Sequence, residues 1–272
     1  MFDKIKLKIV KYNKVLQNII DINLNYYKNF SGRYIIYEEN GKGKEYYNYG
    51  SCPLFIGEFL HGERNGKGIE YEHGVKKYEG EYLKGKRSGR GKEYLSKDKL
   101  VFEGEYLNGK RNGKGKEFDD IKGEIVFEGE YLNGERNGKG KYYNNFFYHQ
   151  LIFEGEFLNG TINGKGKEYF FGELIYEGDY VNGERSGKGK EYYKNEIIFD
   201  GEYIKGKRWN GKGKIYNYKG EKVFEGKYLN GETKNIFWLL TLYININFLY
   251  FFNNFIYIKS EIKEGKGFIT EK

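Results

Sequence analysis

The side chains in this chain that most readily bind metals or form nucleophile–base pairs are His61, His73, His149 and Cys52. Their offsets match no metal-ligand spacing, and no Ser, His and Asp arrangement stands out from the rest of the sequence. The many glutamates recur at fixed positions, where pairing with lysine is a better explanation than acid–base chemistry. The sequence therefore predicts a protein that is not an enzyme, with no catalytic residues, no metal and no cofactor.

One stretch superficially fits a phosphate-binding loop. Residues 206–212 read GKRWNGK, but the next residue is Gly213, where Ser or Thr should hold magnesium. Sister segments have the same turn one residue shorter. We therefore interpret this stretch as a turn that carries one extra residue, Trp209.

Composition and charge narrow the class of protein. Gly 40 with a single Pro excludes collagen, and 19% aromatic residues supply a drive for burial that disordered tails lack. The net charge of +8 makes phospholipid headgroups or nucleic acid worth considering as partners. A lone cysteine and a start without a cleavable signal peptide favour a reducing, cytoplasmic setting.

An internal repeat of 23 to 26 residues organises most of the chain. Residues 102–118 read FEGEYLNGKRNGKGKEF, and residues 127–143 read FEGEYLNGERNGKGKYY. Complete copies begin at Phe30, Phe55, Tyr78, Phe102, Phe127, Phe153, Tyr176 and Phe199, and a ninth copy, at Phe224, breaks off.

Each copy reads as a β-hairpin. In the copy at Phe102, the period of two places Phe102, Gly104 and Tyr106 on one face of the first strand. The turn cluster 108–111 follows, and residues 113–118 form the returning strand.

The register of this hairpin can be predicted from charge. The expected cross-strand pairs are Glu105 with Lys114, Glu103 with Lys116, and Gly104 with Gly115. We expect the aromatic rings to lie over the glycines. Hairpin then follows hairpin, which predicts an all-β fold: an elongated, twisted antiparallel meander of tandem β-hairpins.

The recurring pattern resembles a known family. Tyr/Phe-x-Gly-x-Tyr/Phe, then a turn Gly, then Gly-x-Gly is similar to the MORN repeat (membrane occupation and recognition nexus) over residues 30–235. The resemblance implies a rod of stacked hairpins that binds phospholipid or protein and has no chemistry of its own. Such repeats can accompany a lipid kinase or a methyltransferase domain, and no segment here is long enough to hold either.

Two segments depart from the repeat. Residues 1–29 form a basic amphipathic N-terminal segment, which predicts a short helix; capping of the first hairpin is favoured over lying on an anionic membrane. Residues 236–264 are an apolar insertion that splits the last copy and leaves residues 265–272 as its remnant. Within it, 236–258 carries no charge, and three interpretations compete: a membrane-spanning helix, which is not favoured, a cap, or non-native sequence.

One turn position repeatedly holds arginine, and in a rod these side chains would line one long edge. The predicted lipid-binding residues are Arg64, Arg87, Arg111, Arg136, Arg185 and Arg208. Such an edge suits anionic phospholipid membranes, where each basic residue contributes about 1 kcal/mol. A solvated, solubilising edge is the alternative. The prediction is a non-catalytic cytoplasmic scaffold, peripheral at membranes, that binds anionic phospholipids or tethers partners to them.

The alternative function is a protein–protein interaction scaffold, whose aromatic–glycine face would form a groove for a partner helix or peptide. The predicted partner-binding residues are Tyr82, Tyr106, Tyr131, Phe157, Tyr180 and Tyr203. Nucleic acid is the least favoured partner, because rings packed on glycines are not free to stack on bases.

Overall fold

The computed structural model describes residues 32–47, 50–96, 98–144 and 149–233. These residues form β-strands joined by short turns, and the helical element among them is one turn of 3-10 helix, Glu39–Gly41. The predicted N-terminal helix (1–29), the apolar insertion (236–264) and the remnant (265–272) lie outside the described residues. The chain divides after Gly123 into two units.

Unit 1 is a meander in which each strand pairs antiparallel with the next. Its strands are β1 (Arg33–Tyr37), β2 (Lys42–Tyr47), β3 (Phe55–Leu60), β4 (Glu63–Glu72), β5 (Val75–Leu83), β6 (Lys86–Tyr94), β7 (Leu100–Leu107) and β8 (Lys110–Phe118).

Unit 2 repeats this arrangement, again with each strand antiparallel to the next. Its strands are β9 (Ile125–Leu132), β10 (Glu135–Asn144), β11 (Gln150–Leu158), β12 (Thr161–Phe170), β13 (Glu173–Val181), β14 (Glu184–Tyr193), β15 (Glu196–Ile204), β16 (Lys207–Tyr216), β17 (Lys222–Leu229) and β18 (Glu232–Thr233). The predicted all-β fold of tandem antiparallel hairpins is confirmed.

Two-residue turns close the repeat hairpins. Asn108 and Gly109 both have positive φ, 52° and 87°, as the tight hairpin turn that matches strand twist requires. The Gly109 N–H also donates to the Arg87 carbonyl of the preceding copy at 2.8 Å. Such bonds tie neighbouring hairpins together along one side of each unit, which we call the turn edge. The opposite side, where one hairpin connects to the next, is the connector edge.

Most of the predicted register is confirmed. Glu103 faces Lys116, and Gly104 faces Gly115. The Phe102 ring lies over this glycine pair, since a Cβ built on Gly104 would come within 2.7 Å of Phe102 Cζ. The absent side chains therefore make room for the ring.

The predicted pairing of Glu105 with Lys114 is wrong. The register shifts here because Gly113, with φ of 100°, forms a β-bulge. Glu105 instead covers this glycine, with its carboxylate 2.1 Å from where a Cβ would stand. In the equivalent place of unit 2, the Lys139 N–H donates to Glu130 Oε2 at 3.0 Å. The glutamate therefore holds the bulge in place and is not the cross-strand partner of the lysine.

The core is a chain of aromatic rings on one face of each unit, the inner face. In the copies from Phe55 onward, the first ring is between 0% and 8% exposed, and these rings are Phe55, Tyr78, Phe102, Phe127, Phe153, Tyr176, Phe199 and Phe224. Tyr106 packs edge-on against two of them, with ring centres 5.7 Å from Phe102 and 5.0 Å from Tyr78. Each such pair contributes about 0.5–1.5 kcal/mol beyond burial, so the rings join each hairpin to its neighbour.

Candidate binding surfaces

The six rings predicted to line a partner groove belong to this core. Their exposed fractions lie between 1% and 4%. Tyr180, for example, packs edge-on against Phe153 and Tyr176, and its hydroxyl donates to Glu168 at 2.7 Å. The prediction of an open aromatic groove is wrong, because the rings are buried against the rings of neighbouring copies.

The six predicted lipid-binding arginines also lie on the inner face, above the rings. The Arg87 guanidinium carbon stands 4.2 Å from the centre of the Tyr78 ring. Its nitrogens reach both the Glu70 carboxylate and, at 3.4 Å, Glu93 Oε1. Five of the six arginines bind the glutamate of their own copy, the glutamate of the preceding copy, or both: Arg64, Arg87, Arg111, Arg185 and Arg208.

These contacts form alternating rows, which we call the ion-pair ladder. In unit 1 the ladder is Glu45, Arg64, Glu70, Arg87, Glu93, Arg111 and Glu117. In unit 2 it is Glu168, Arg185, Glu191 and Arg208.

The prediction that these arginines line an exposed edge is wrong. Arg185 is the most enclosed of the ladder arginines, with 10% of its side chain exposed, while Arg87 and Arg111 reach 25%, and Arg136 is 7% exposed as a whole residue. The ring beneath and the carboxylates beside each guanidinium compensate its burial. The arginine charges are therefore neutralised inside the fold.

The ladder lowers the pKa values of two of its glutamates, Glu93 and Glu191. Burial alone would raise the pKa of Glu93, but hydrogen bonds from Arg111 and Tyr106 outweigh it and hold that pKa below its usual value. Burial opposes ionisation of Glu191 as well, and the nearby Arg208 again lowers the pKa overall. Glu93 and Glu191 are therefore charged near neutral pH.

The ladder is interrupted where both partners change together. Tyr142 stands at a glutamate position and Ile162 at the arginine position of the next copy, and they are 8% and 4% exposed. Ile215 and Thr233 occupy the same two positions in a later pair of copies. Because loss of one partner alone would leave a buried charge, the paired replacement indicates a structural role for the ladder.

The outer face, opposite the rings, carries a balanced pattern of charge. One position of the returning strand holds a well-exposed cation in every described copy: Lys42, Lys67, Arg90, Lys114, Lys139, Lys165, Lys188 and Lys212. Arg90 faces Glu105 across the strands, and Lys165 Nζ lies 3.0 Å from Asp179 Oδ1. Residues 31–233 hold 36 Lys and Arg against 34 Asp and Glu, so the repeats have almost no net charge.

A row of exposed aliphatic side chains follows the turn edge on this outer face. At the turn edge, the residue before each two-residue turn is 43% to 56% exposed. This aliphatic row comprises Leu60, Leu83 and Leu107 in unit 1, and Leu132, Leu158, Val181, Ile204 and Leu229 in unit 2. Apolar side chains exposed in register mark a surface for a membrane or a partner.

Charged residues accompany the aliphatic row. Leu83 faces Lys86 and Leu107 faces Lys110, and Lys84 is the first residue of its turn. In unit 2, Lys205 is the first residue of one turn and Lys207 follows that turn, while Glu135, Glu184 and Glu232 follow three other turns. The turn edge of unit 1 is thus the more basic of the two.

Trp209 is the inserted residue, as the sequence predicts. The Gly206 N–H donates to the Arg185 carbonyl, but the equivalent Gly231 N–H donates to the Trp209 carbonyl, each at 2.9 Å. The Trp209 ring lies beside Gly231, which places it at the turn edge. Residues 206–212, which resemble a phosphate-binding loop, begin in the turn before β16 and continue into β16. A phosphate-binding loop leads into a helix, and here it leads into a strand.

The three histidines and the cysteine lie in turns and connecting segments. His61 and His73 have positive φ in turns, the His149 ring stacks on Tyr143, and Cys52 is exposed. Within the described ranges, no group of three His, Cys, Asp or Glu side chains could hold a metal ion. In the same ranges, no helix has the length and apolarity to cross a bilayer, and residues 236–258 lie outside them.

Comparison with known proteins agrees with the repeat frame. The family model described as MORN repeat matches six segments, 55–71, 78–97, 102–120, 127–145, 153–171 and 176–196. Each match begins at the first ring of a copy. No curated protein matches the chain.

Proposed function

Because the chain belongs to the MORN-repeat family, whose non-catalytic repeats are associated with membrane, phospholipid and protein binding, we propose that it is a scaffold that docks on anionic membranes through its turn edge. The exposed aliphatic row carries this proposal. The arginines are not its lipid contacts, since five of them are committed to the ion-pair ladder and the sixth, Arg136, is buried. The exposed free thiol of Cys52 suits association from the cytoplasmic side.

The aliphatic row supplies apolar contact with the bilayer. Leu83 and Leu107 are 56% and 54% exposed, so about half of each side chain remains to be covered. Burying a whole leucine is worth about 1.5–3 kcal/mol, and each of these two therefore contributes about 1 kcal/mol at the headgroup boundary. Several in register give a reversible, peripheral attachment.

The turn lysines of unit 1 supply the electrostatic part. Lys84, Lys86 and Lys110 lie within three residues of the aliphatic row. A lysine near an anionic leaflet contributes about 1 kcal/mol, and this contribution falls with added salt. Membrane binding should therefore need anionic lipid and weaken as ionic strength rises.

The test is co-sedimentation of the full chain with vesicles of phosphatidylcholine, with and without phosphatidylserine. The double variant Leu83→Ser/Leu107→Ser should bind anionic vesicles about 30-fold more weakly, from about 2 kcal/mol of lost apolar contact. The matched control is Leu95→Ser/Ile121→Ser, which removes two exposed aliphatic residues from the connector edge of the same unit. Its binding should stay within about twofold of the parent.

A charge arm completes the test. Lys84→Gln/Lys86→Gln/Lys110→Gln should weaken binding and flatten its dependence on salt. If the parent chain does not sediment with anionic vesicles at low salt, membrane docking is excluded. A protein partner that covers the aliphatic row would then be the remaining function of this surface.

A further inference from the structure

The charge pattern of the outer face breaks at one place in unit 2. The copies from Phe55 to Phe199 carry an acidic residue two positions before the aliphatic row: Glu58, Glu81, Glu105, Glu130, Glu156, Asp179 and Glu202. The copy at Phe224 carries Lys227 instead, and Lys227 faces Lys212 on β16. The other described pairs at this position join a cation to a carboxylate.

The two lysines line a shallow depression of about 380 Å³, together with Lys214, Asp200 and Glu225. Three lysines against two carboxylates leave the lining positive.

The two carboxylates of this depression have other partners. Asp200 faces Lys212 across β15 and β16, but its carboxylate lies 4.0 Å from Lys190, and Glu225 pairs with Lys222. Lys212 and Lys227 make no ion pair with any residue in the described part of the chain. Lys212 and Lys227 therefore face each other across β16 and β17, and neither has an ion pair of its own in that part of the chain.

We propose that Lys212 and Lys227 together bind the phosphate of a phosphomonoester. Cations directly opposite each other on a sheet repel, and a group that carries close to two negative charges relieves both at once. Lysine is a common phosphate ligand and binds it as a point charge. A phosphodiester carries one charge, so a monoester, as on a phosphorylated inositol ring, fits the pair better.

The position of the pair links it to the membrane, and this part of the proposal rests on the proposed docking through the turn edge. Lys227 precedes Leu229 by two residues on β17, so both side chains project from the outer face about 7 Å apart. Ile204 lies at the neighbouring turn. A headgroup phosphate bound by the lysines would thus lie beside the aliphatic row, and the apolar part of the lipid would contact that row.

The variant Lys227→Glu tests the site, because it restores the residue type of the sister copies and should fold. It removes a repulsion and should raise Tm by about 1–3 °C. Binding of soluble inositol 1,4,5-trisphosphate, measured by calorimetry on the full chain, should weaken at least tenfold. The control Lys219→Glu makes the same change of charge in an exposed connector and should change this affinity less than twofold. An equal loss of trisphosphate affinity in Lys227→Glu and Lys219→Glu would overturn the proposed site.

Vesicles distinguish a lipid headgroup from a free phosphate compound. Replacing part of the phosphatidylserine by a phosphoinositide at equal total charge should strengthen binding of the parent chain and leave Lys227→Glu unchanged. If soluble trisphosphate binds and the phosphoinositide gives no gain, the lipid assignment is wrong and the ligand is a soluble phosphate. A third outcome is that the parent chain binds soluble trisphosphate but no phosphatidylserine vesicles, and that Lys227→Glu weakens trisphosphate binding. The membrane proposal then fails, while the phosphate site stands.

Discussion

Replacement of Arg185 by leucine should lower the free energy of unfolding by about 3 kcal/mol. Arg185 Nε lies 3.0 Å from Glu168 Oε1, and their side chains are 10% and 9% exposed. Removing one partner of a buried pair costs about 3–5 kcal/mol, since the other charge stays buried. In the variant, the Tyr180 hydroxyl still donates to Glu168, and Arg208 still pairs with Glu191. Because both carboxylates keep one partner, the loss should be at the lower end of that range.

Chemical denaturation followed by circular dichroism measures this loss. Arg90→Leu is the control, because Arg90 lies exposed on the outer face, and its loss should stay within about 0.5 kcal/mol. The double variant Glu168→Tyr/Arg185→Ile copies the natural pair Tyr142 and Ile162. It should recover part of the stability, with a coupling of about 1–3 kcal/mol. Equal losses for the Arg185 and Arg90 variants, or a strictly additive double variant, would refute a structural ladder.

The remaining predictions concern pH and the glycines. The pKa values of Glu93 and Glu191 are lowered in the fold, so their contribution to stability is complete above the unfolded value of about 4.3 and is lost as pH falls through the folded value. Tm should therefore be constant above about pH 5 and fall below it, and a constant Tm down to pH 3 would contradict charged ladder glutamates. Gly91→Ala would place a Cβ 2.1 Å from the Tyr78 hydroxyl and should cost about 2–3 kcal/mol by denaturation. Gly85→Ala meets no atom within 4 Å but must adopt φ of +76°, so its cost should be nearer 1 kcal/mol; a reversed order would argue against ring packing on the strand glycines.

The hairpins were predictable because their signals are local. The turn pair Asn108-Gly109 and the alternation of Phe102 and Tyr106 fix the strands and their faces without knowledge of distant residues. The pairing of Gly104 with Gly115 also followed from this frame. The β-bulge could not be predicted in this way. Gly113 resembles any other strand glycine in the sequence, and only the residue pairing with the partner strand shows that it is an extra residue.

The role of the arginines was misread for a related reason. The sequence interpretation placed Arg111 within a four-residue turn, which would expose it at the edge. The turn is the pair Asn108-Gly109, so Arg111 is already a strand residue, and it faces Tyr106 on the ring side. The paired losses at Tyr142 and Ile162 were a signal in the sequence, since an arginine and a glutamate position change together there.

The exposed aliphatic row was visible in the sequence as one more outward position of the strand. Its importance becomes clear only when the burial of the other apolar residues is known, because Leu107 is 54% exposed while Phe102 is fully buried. A single exposed leucine needs no explanation. Recurrence at the same place in consecutive copies makes the row a surface.

Trp209 provides the most direct test of docking through the turn edge. The chain has two tryptophans, so Trp238→Phe leaves Trp209 as the reporter beside the aliphatic row. On addition of phosphatidylserine vesicles that contain brominated lipid, its fluorescence should shift to the blue and be quenched. Vesicle binding with unchanged Trp209 emission and no quenching would show that the turn edge of unit 2, where Trp209 lies, does not meet the membrane, and would contradict docking through the aliphatic row of that unit.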